Sequence, residues 1–461
     1  MNIDFVSCNP GVNGEYPQNL FLNHQYKGRP ALVGTPGLSV FCDIGSEVEI
    51  RGMIQVGGLL YAVCGNAFYE ITRAGVATSK GTLNSSTGKA FMEYNGTQIM
   101  ILANKTGYIY TLSSGAFAEI TDSDFPSATS LTFQDGYFLV SKENTDEIYI
   151  SDLNDGSSWS GDYASAEGDA GDVVAVYSDH RELLIFGESS IEVWYNSGAD
   201  YPFDRRNDVY IEDGLGATAS VASKDNRIFW LNIDGIVKTL ENYTPTVISE
   251  RSIEEQISDF GNFSDAIGYT VSFYSIPFYV LTLPKQNKTY LCNLTDKSWS
   301  IWASYPTPYN GRHRSNCCAT LGNYQLLGDY ENGIIYKLDK SVYTDNGETI
   351  KASRTSPPII SQDQKRVFHK RLEIEIESGV GLTGGVNPGE DPQIMLSWSD
   401  NLGKTWSNEY WRSMGKIGEY DKRCVWSGMG SAINRSYKTE ITDPVLKVIY
   451  SVSLDARIGR Y

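Results

Sequence analysis

Cysteine is scarce in this chain and badly spaced for a framework. The seven residues, Cys8, Cys42, Cys64, Cys292, Cys317, Cys318 and Cys424, are odd in number and contain no CxxC pair. That excludes a regular disulfide scaffold and a paired-cysteine zinc site, and it fits a reducing compartment. Histidine is scarcer. His24, His180, His313 and His369 stand far apart with no HExxH or HxH spacing, so neither a metal centre nor a nucleophilic triad is indicated. No phosphate-binding loop of the GxxxxGKS or GxxxxGKT form occurs. No residue pattern asks for a cofactor or a metal. The N-terminus lacks a basic stretch followed by an apolar one, and no run approaches the ~18 apolar residues needed to cross a bilayer. We therefore expect no secretory leader and no membrane-spanning segment.

Positive charge is also in short supply. The chain carries 56 acidic against 38 basic residues, a formal charge of −18. A surface built to neutralise duplex phosphates is excluded for the chain as a whole. An acidic protein can still handle DNA by repelling it, as a non-stick channel wall would. Acidic stretches such as 162–172 and Asp122-Ser-Asp124 read as solvated loops. The basic stretch KRVFHKR at 365–371 reads as the charged edge of a strand that discourages sheet pairing, the alternative being phosphate contact. Helical pattern is nearly absent. The best candidate is SIEEQISDF at 252–260, with Ser252 as cap and Glu255 as its capping-box partner.

What is plentiful is tyrosine, 30 residues, and glycine, 44, in a chain of 461 that is 41% hydrophobic. Aromatics suit half-exposed strand faces, and glycine supplies tight turns. The stretch RELLIFGESSIEVWYN at 181–196 shows the rule: a short apolar run, a turn at 187–190, then alternation. This is a β-hairpin with one buried face, and it needs neighbours. Equivalent hairpins recur at 59–64 with 67–71, 98–102 with 108–112, 137–140 with 147–150, 228–231 with 236–240, 278–283 with 289–293, and 324–327 with 334–338. Seven hairpins at roughly 40 to 50 residue spacing, with room between them for strands such as 171–177 and 217–222, predict propeller blades of four strands each. The fold class is all-β, a propeller of six or seven blades with a C-terminal β-sandwich-like module. The expected domains are an N-terminal arm over 1–30, the propeller over 31–350, a linker over 351–364, and a β-rich module over 365–461.

The sharpest local motif lies in that last module. SDNLGKTW at 399–406 resembles the Asp box of sialidases and other propeller proteins, with Asn401 in the aspartate position. Ser399, Asn401, Gly403, Thr405 and Trp406 are expected to build a structural turn: polar side chains tie it to backbone groups, Gly403 permits positive φ, and Trp406 plugs the hairpin against its sheet. Glycoside hydrolysis needs two positioned carboxylates or a tyrosine with an acid, and no spacing singles out such a pair.

The order of phrases along the chain resembles that of the packaged-DNA stabilisation proteins of tailed bacteriophages, the tail hub or nozzle family of short-tailed phages. The matching phrases are NLF at 19–21, LVGTPGL at 32–38, YASAE at 163–167, RELLIFG at 181–187 with SIEVWYN at 190–196, YPF at 201–203 and IFWL at 228–231. They continue with IS at 248–249, IE at 253–254, IIY at 334–336, the 398–406 segment and DPV at 443–445, so the resemblance covers nearly the whole chain from residue 19. It implies a non-enzymatic virion tail subunit, assembled in the bacterial host cytoplasm as a ring of six below the portal. It further implies contacts with a head-to-tail adaptor, a tail needle or plug and a tail fibre or tailspike, around packaged double-stranded DNA that passes without sequence-specific binding. The competing class is a sialidase-like or polysaccharide-cleaving propeller enzyme. A sugar-binding propeller is a third.

Overall fold

A computed structural model describes residues 5–45, 47–168, 171–305, 311–361, 363–384 and 388–459. Parts of the expected arm (1–4), acidic stretch (169–170), linker (362) and C-terminal module (385–387 and 460–461) lie outside the described residues.

Each of the seven hairpins forms the two middle strands of a sheet, because an apolar run on either side of a tight turn buries both its faces between neighbouring sheets. Blades 1 to 6 are four-stranded antiparallel sheets taken in chain order, over 50–82, 90–119, 128–165, 173–211, 222–247 and 267–301. In blade 4 the hairpin pairs Glu182 with Tyr195 and Phe186 with Ile191. Blade 7 takes three strands from 315–339 and its fourth, Gly37–Asp43, from near the N-terminus, with Leu38 opposite Leu338, and the short strands Thr344–Asp345 and Glu348–Thr349 extend this sheet to six. Closure is completed where the first strand of blade 7 meets blade 1: the Asn316 side chain donates to the Ile50 carbonyl at 3.1 Å. The inner strands press tightly together, and a Cβ on Gly52 would lie 2.2 Å from the Ala90 carbonyl oxygen. Sealing the ring with a strand from the other end of the chain leaves no open sheet edge at the seam.

The second body is a β-sandwich. One sheet runs Leu20–Tyr26, Arg29–Gly34, Val448–Ile458, Val367–Ile376 and Cys424–Ser427, with Ser431–Ala432 also on Val367–Ile376. The other runs Ala352–Thr355, Asn434–Ile441, Gln393–Ser399 and Tyr410–Ser413, with Ile359–Ile360 also on Asn434–Ile441. Leu372, Ile374, Leu396, Trp426 and Tyr437 fill the space between them, together with Phe5 and Leu32 from the N-terminal region. The propeller is thus inserted into the sandwich.

Several expectations change accordingly. The 30/31 boundary falls inside the first hairpin of the sandwich, and the 351–364 stretch supplies two sandwich strands, since pairing across about 70 to more than 400 residues leaves no local trace. The 365–371 stretch is not a sheet edge: its strand is paired on both sides, with Val448–Ile458 and with Cys424–Ser427. The 217–222 stretch is a 3-10 turn at Thr218–Ser220 followed by a short strand, Ala222–Lys224. The α-helix is Arg251–Asp259, with Glu250 at its N-cap rather than Ser252, because the Ser252 hydroxyl is taken by Tyr16.

Candidate functional site

The Asp-box-like turn closes the end of the Gln393–Ser399 strand. The Ser399 hydroxyl donates to the Asn401 side-chain oxygen at 2.8 Å and accepts the Gly403 amide at 2.9 Å. That Asn401 oxygen also accepts the Thr405 amide at 2.9 Å, while the Asn401 amide nitrogen donates to the Thr405 hydroxyl at 2.8 Å. Leu402 and Gly403 both have positive φ, 58° and 80°. Asn401 therefore performs the bonding an aspartate would, and Leu402 bears the strain a glycine would avoid. Trp406 is half-buried and lies beside Lys438, whose ammonium is 5.7 Å from its ring centre, while Trp398 packs on the sandwich core. The turn links Ser399, Asn401, Gly403 and Thr405 by hydrogen bonds and abuts Val12 and Asn13 of the N-terminal segment. It holds no acid–base pair.

That segment forms the seam between the two bodies. Arg354, fully buried, donates to the carbonyls of Phe5 (3.1 Å), Asn9 (2.8 Å) and Thr355 (2.8 Å). Tyr16 donates to Glu250 at 2.8 Å, and Asn19 donates to the carbonyls of Ala303 and Lys351, both at 2.9 Å. Beneath it lies a cleft of about 390 Å³ lined by Tyr16, Gln256, Lys288, Lys351, Lys438 and Glu440, among others. Glu440 pairs with both Lys351 (2.7 Å) and Lys438 (3.0 Å), so its carboxyl is held below the usual range. Burial pushes the Tyr16 hydroxyl up, the opposite of what a nucleophilic tyrosine requires. No signal in the sequence marked this seam, because the N-terminal segment's partners lie more than 200 residues away along the chain.

The propeller axis is a narrow cavity of about 190 Å³, room for roughly six waters, lined by residues from the inner strands, among them Lys89, Glu93, Tyr177 and Cys318. Burial raises the Glu93 carboxyl to about 8 and the Cys318 thiol to about 12. A duplex cannot thread it.

The four histidines are spent locally. His24 contacts Asp296 at 2.7 Å and His180 contacts Asp179 at 2.8 Å. His313 is buried against Trp302 with ring centres 3.7 Å apart, and His369 accepts or donates to the Tyr437 hydroxyl at 2.8 Å. Burial lowers both, His369 to about 4. All seven cysteines are free thiols, and no group of three metal-ligating side chains occurs among the described residues. Asp122 is a structural cap: it accepts the Asp124 and Trp159 amides, both at 3.0 Å, which hold its carboxyl below the usual range. No described helix is long and apolar enough to cross a membrane.

A strand-sealed propeller seated in a β-sandwich places the chain in the class of two-body, all-β propeller–sandwich proteins. The chain belongs to the bacteriophage P22 Gp10 family: the family's β-propeller model matches residues 13–343 and its β-sandwich model residues 354–457. A relative is the tail hub protein gp10 of Salmonella phage P22, 21% identical over 443 residues, spanning 91% of this chain and 90% of that one. Among solved structures, the computationally designed protein Ika8 aligns with a TM-score of 0.43 at 11% identity, over 66% of this chain and 100% of its own. BamB from Moraxella catarrhalis aligns with a TM-score of 0.41 at 12% identity, over 67% of this chain and 90% of its own.

Proposed function

We propose that this protein is a structural subunit of a phage tail hub, not an enzyme, and that it resides in the virion tail after assembly in the host cytoplasm. The observation that carries the reading is the family match in both bodies, in the same order along the chain. Copies form a ring, of six in the family it resembles, below the portal and adaptor. The ring extends the DNA channel, helps retain the packaged genome, and presents docking surfaces for a needle or plug and for fibres or spikes. The channel lies between subunits, since the axial cavity of about 190 Å³ cannot pass a duplex.

Cryo-electron microscopy of the phage tail tests this directly. The expected result is a closed ring of this chain around the DNA axis, and its absence from the tail overturns the reading. The competing enzyme is tested by assaying purified protein on sialosides and host polysaccharides, where reproducible turnover overturns the structural reading.

A further inference from the structure

The charge of this protein is not spread over it. Residues 119–213 hold 22 acidic and four basic residues, a formal charge of −18, and the rest of the chain holds 34 of each. The whole imbalance therefore sits on blades 3 and 4, their flanking loops and Glu119 at the end of blade 2. The four cations there already face carboxylates: Lys142 with Glu147 (2.6 Å), Arg181 with Asp135 (3.4 Å), Arg205 with Glu192 (3.6 Å) and Arg206 with Glu182 (2.7 Å). Asp162, Glu188, Asp204 and Glu212 are exposed, with no cation within ion-pair distance among the described residues. The same sheets expose large side chains: Tyr163 (51%), Tyr195 (42%), Tyr210 (46%) and Leu153 (58%). A wall that only repels DNA has no use for outward aromatic rings, whereas a protein contact does.

The complementary surface is at the other end of the molecule. The sandwich docks on blades 6 and 7, where Phe21, Val33 and Leu38 share a core with Phe278, Trp302 and Tyr336. In a ring of seven, blade 3 lies diametrically opposite that seam. From the seam, Val448–Ile458 runs outward for 11 residues, about 30 Å at strand rise. Its far end pairs Ile458 with Val367 and Arg457 with Phe368. Ile360, Phe368, Ile433 and Ile458 are all 46–49% exposed there, beside the exposed cations Arg366, Lys370, Arg371 and Arg457. This accounts for the basic 365–371 stretch, which protects no sheet edge.

We propose that the acidic, tyrosine-bearing face of blades 3 and 4 receives the basic, apolar sandwich tip of a second copy of this chain. An acidic face and a basic tip at opposite extremes of one molecule make a head-to-tail contact, and such contacts close into rings when the rotation between copies permits. Opposite charges steer the encounter, and the exposed apolar side chains supply burial. The inference rests on the ring reading above and deepens it by naming the two faces.

The test uses two full-length variants in sedimentation velocity across protein and salt concentration. One carries Asp162→Lys, Asp204→Lys and Glu212→Lys; the other carries Arg366→Glu, Lys370→Glu and Arg457→Glu. Wild-type protein is expected to associate more weakly as salt rises. Each variant alone is expected to lose association at least tenfold, and their equimolar mixture to regain it, because every tip then meets an opposite face. Circular dichroism melts matching wild type exclude misfolding, and one reversal per face serves if a triple variant melts early. Variants that associate like wild type overturn the proposed contact and leave the ring reading standing. So does a tip variant that loses DNA binding with association intact, which makes the tip a phosphate surface. A wild type with no self-association under any condition overturns both.

Discussion

Single side chains carry unusual weight where the two bodies meet. Arg354 is a cation in a fully buried site whose compensation comes from carbonyls of the N-terminal segment. Arg354→Leu strands those carbonyls and frees the segment, so thermal unfolding should register a loss of about 3 kcal/mol. Amide exchange over residues 5–19 should rise in the same variant. Glu93 gives a pH signature. Its carboxyl is raised from 4.5 to about 8 by burial at the propeller axis, so the folded state holds this proton more tightly than the unfolded chain. Stability from this group is full below about pH 4.5 and is lost as pH rises through 8. Glu93→Gln should match wild type in urea unfolding at pH 4 and exceed it at pH 9, by about 2 kcal/mol after screening by cavity water.

Among the elements, the closing strand Gly37–Asp43 matters most, since one strand from the N-terminal region completes blade 7. Leu38 is 1% exposed and Val40, on the same strand, is 49% exposed. Leu38→Asp should therefore cost more than about 3 kcal/mol in denaturant unfolding, because it buries an unpaired charge in the seal. Val40→Asp should cost less than about 1 kcal/mol. A loss at Leu38 as small as that at Val40 would show that the ring does not depend on this strand. The middle strands of each blade were legible from sequence, as Leu183–Phe186 and Ile191–Tyr195 show, because two short, largely apolar runs flank a turn. Outer strands such as Ala77–Thr82 were not, since ATSKGT is half-exposed and shows no apolar period.

At the scale of the whole molecule, the propeller is an insertion in the sandwich, and the two share the core that joins Phe21, Val33 and Val448 to Phe278 and Trp302. Cutting after the propeller removes the Arg29–Gly34 strand from beside Val448–Ile458, and Leu32 from the sandwich core. A fragment of residues 351–461 should consequently show no cooperative transition by circular dichroism, and co-expression with residues 1–43 should restore one. A sharp transition in the fragment alone would mean that the sandwich does not need its N-terminal hairpin.

The sequence by itself determined the all-β class, the seven hairpins and the turn at Ser399 to Trp406, because each is a local pattern of apolar period, turn chemistry and short-range hydrogen bonding. It also determined the total charge. Only the tertiary structure decided that the N-terminal hairpin belongs to the sandwich, that Gly37–Asp43 seals blade 7, and that the 365–371 strand is interior rather than an edge. Those facts depend on pairing across separations from about 50 to more than 400 residues, and strand pairing over such separations is set by which faces remain uncovered once the blades have closed.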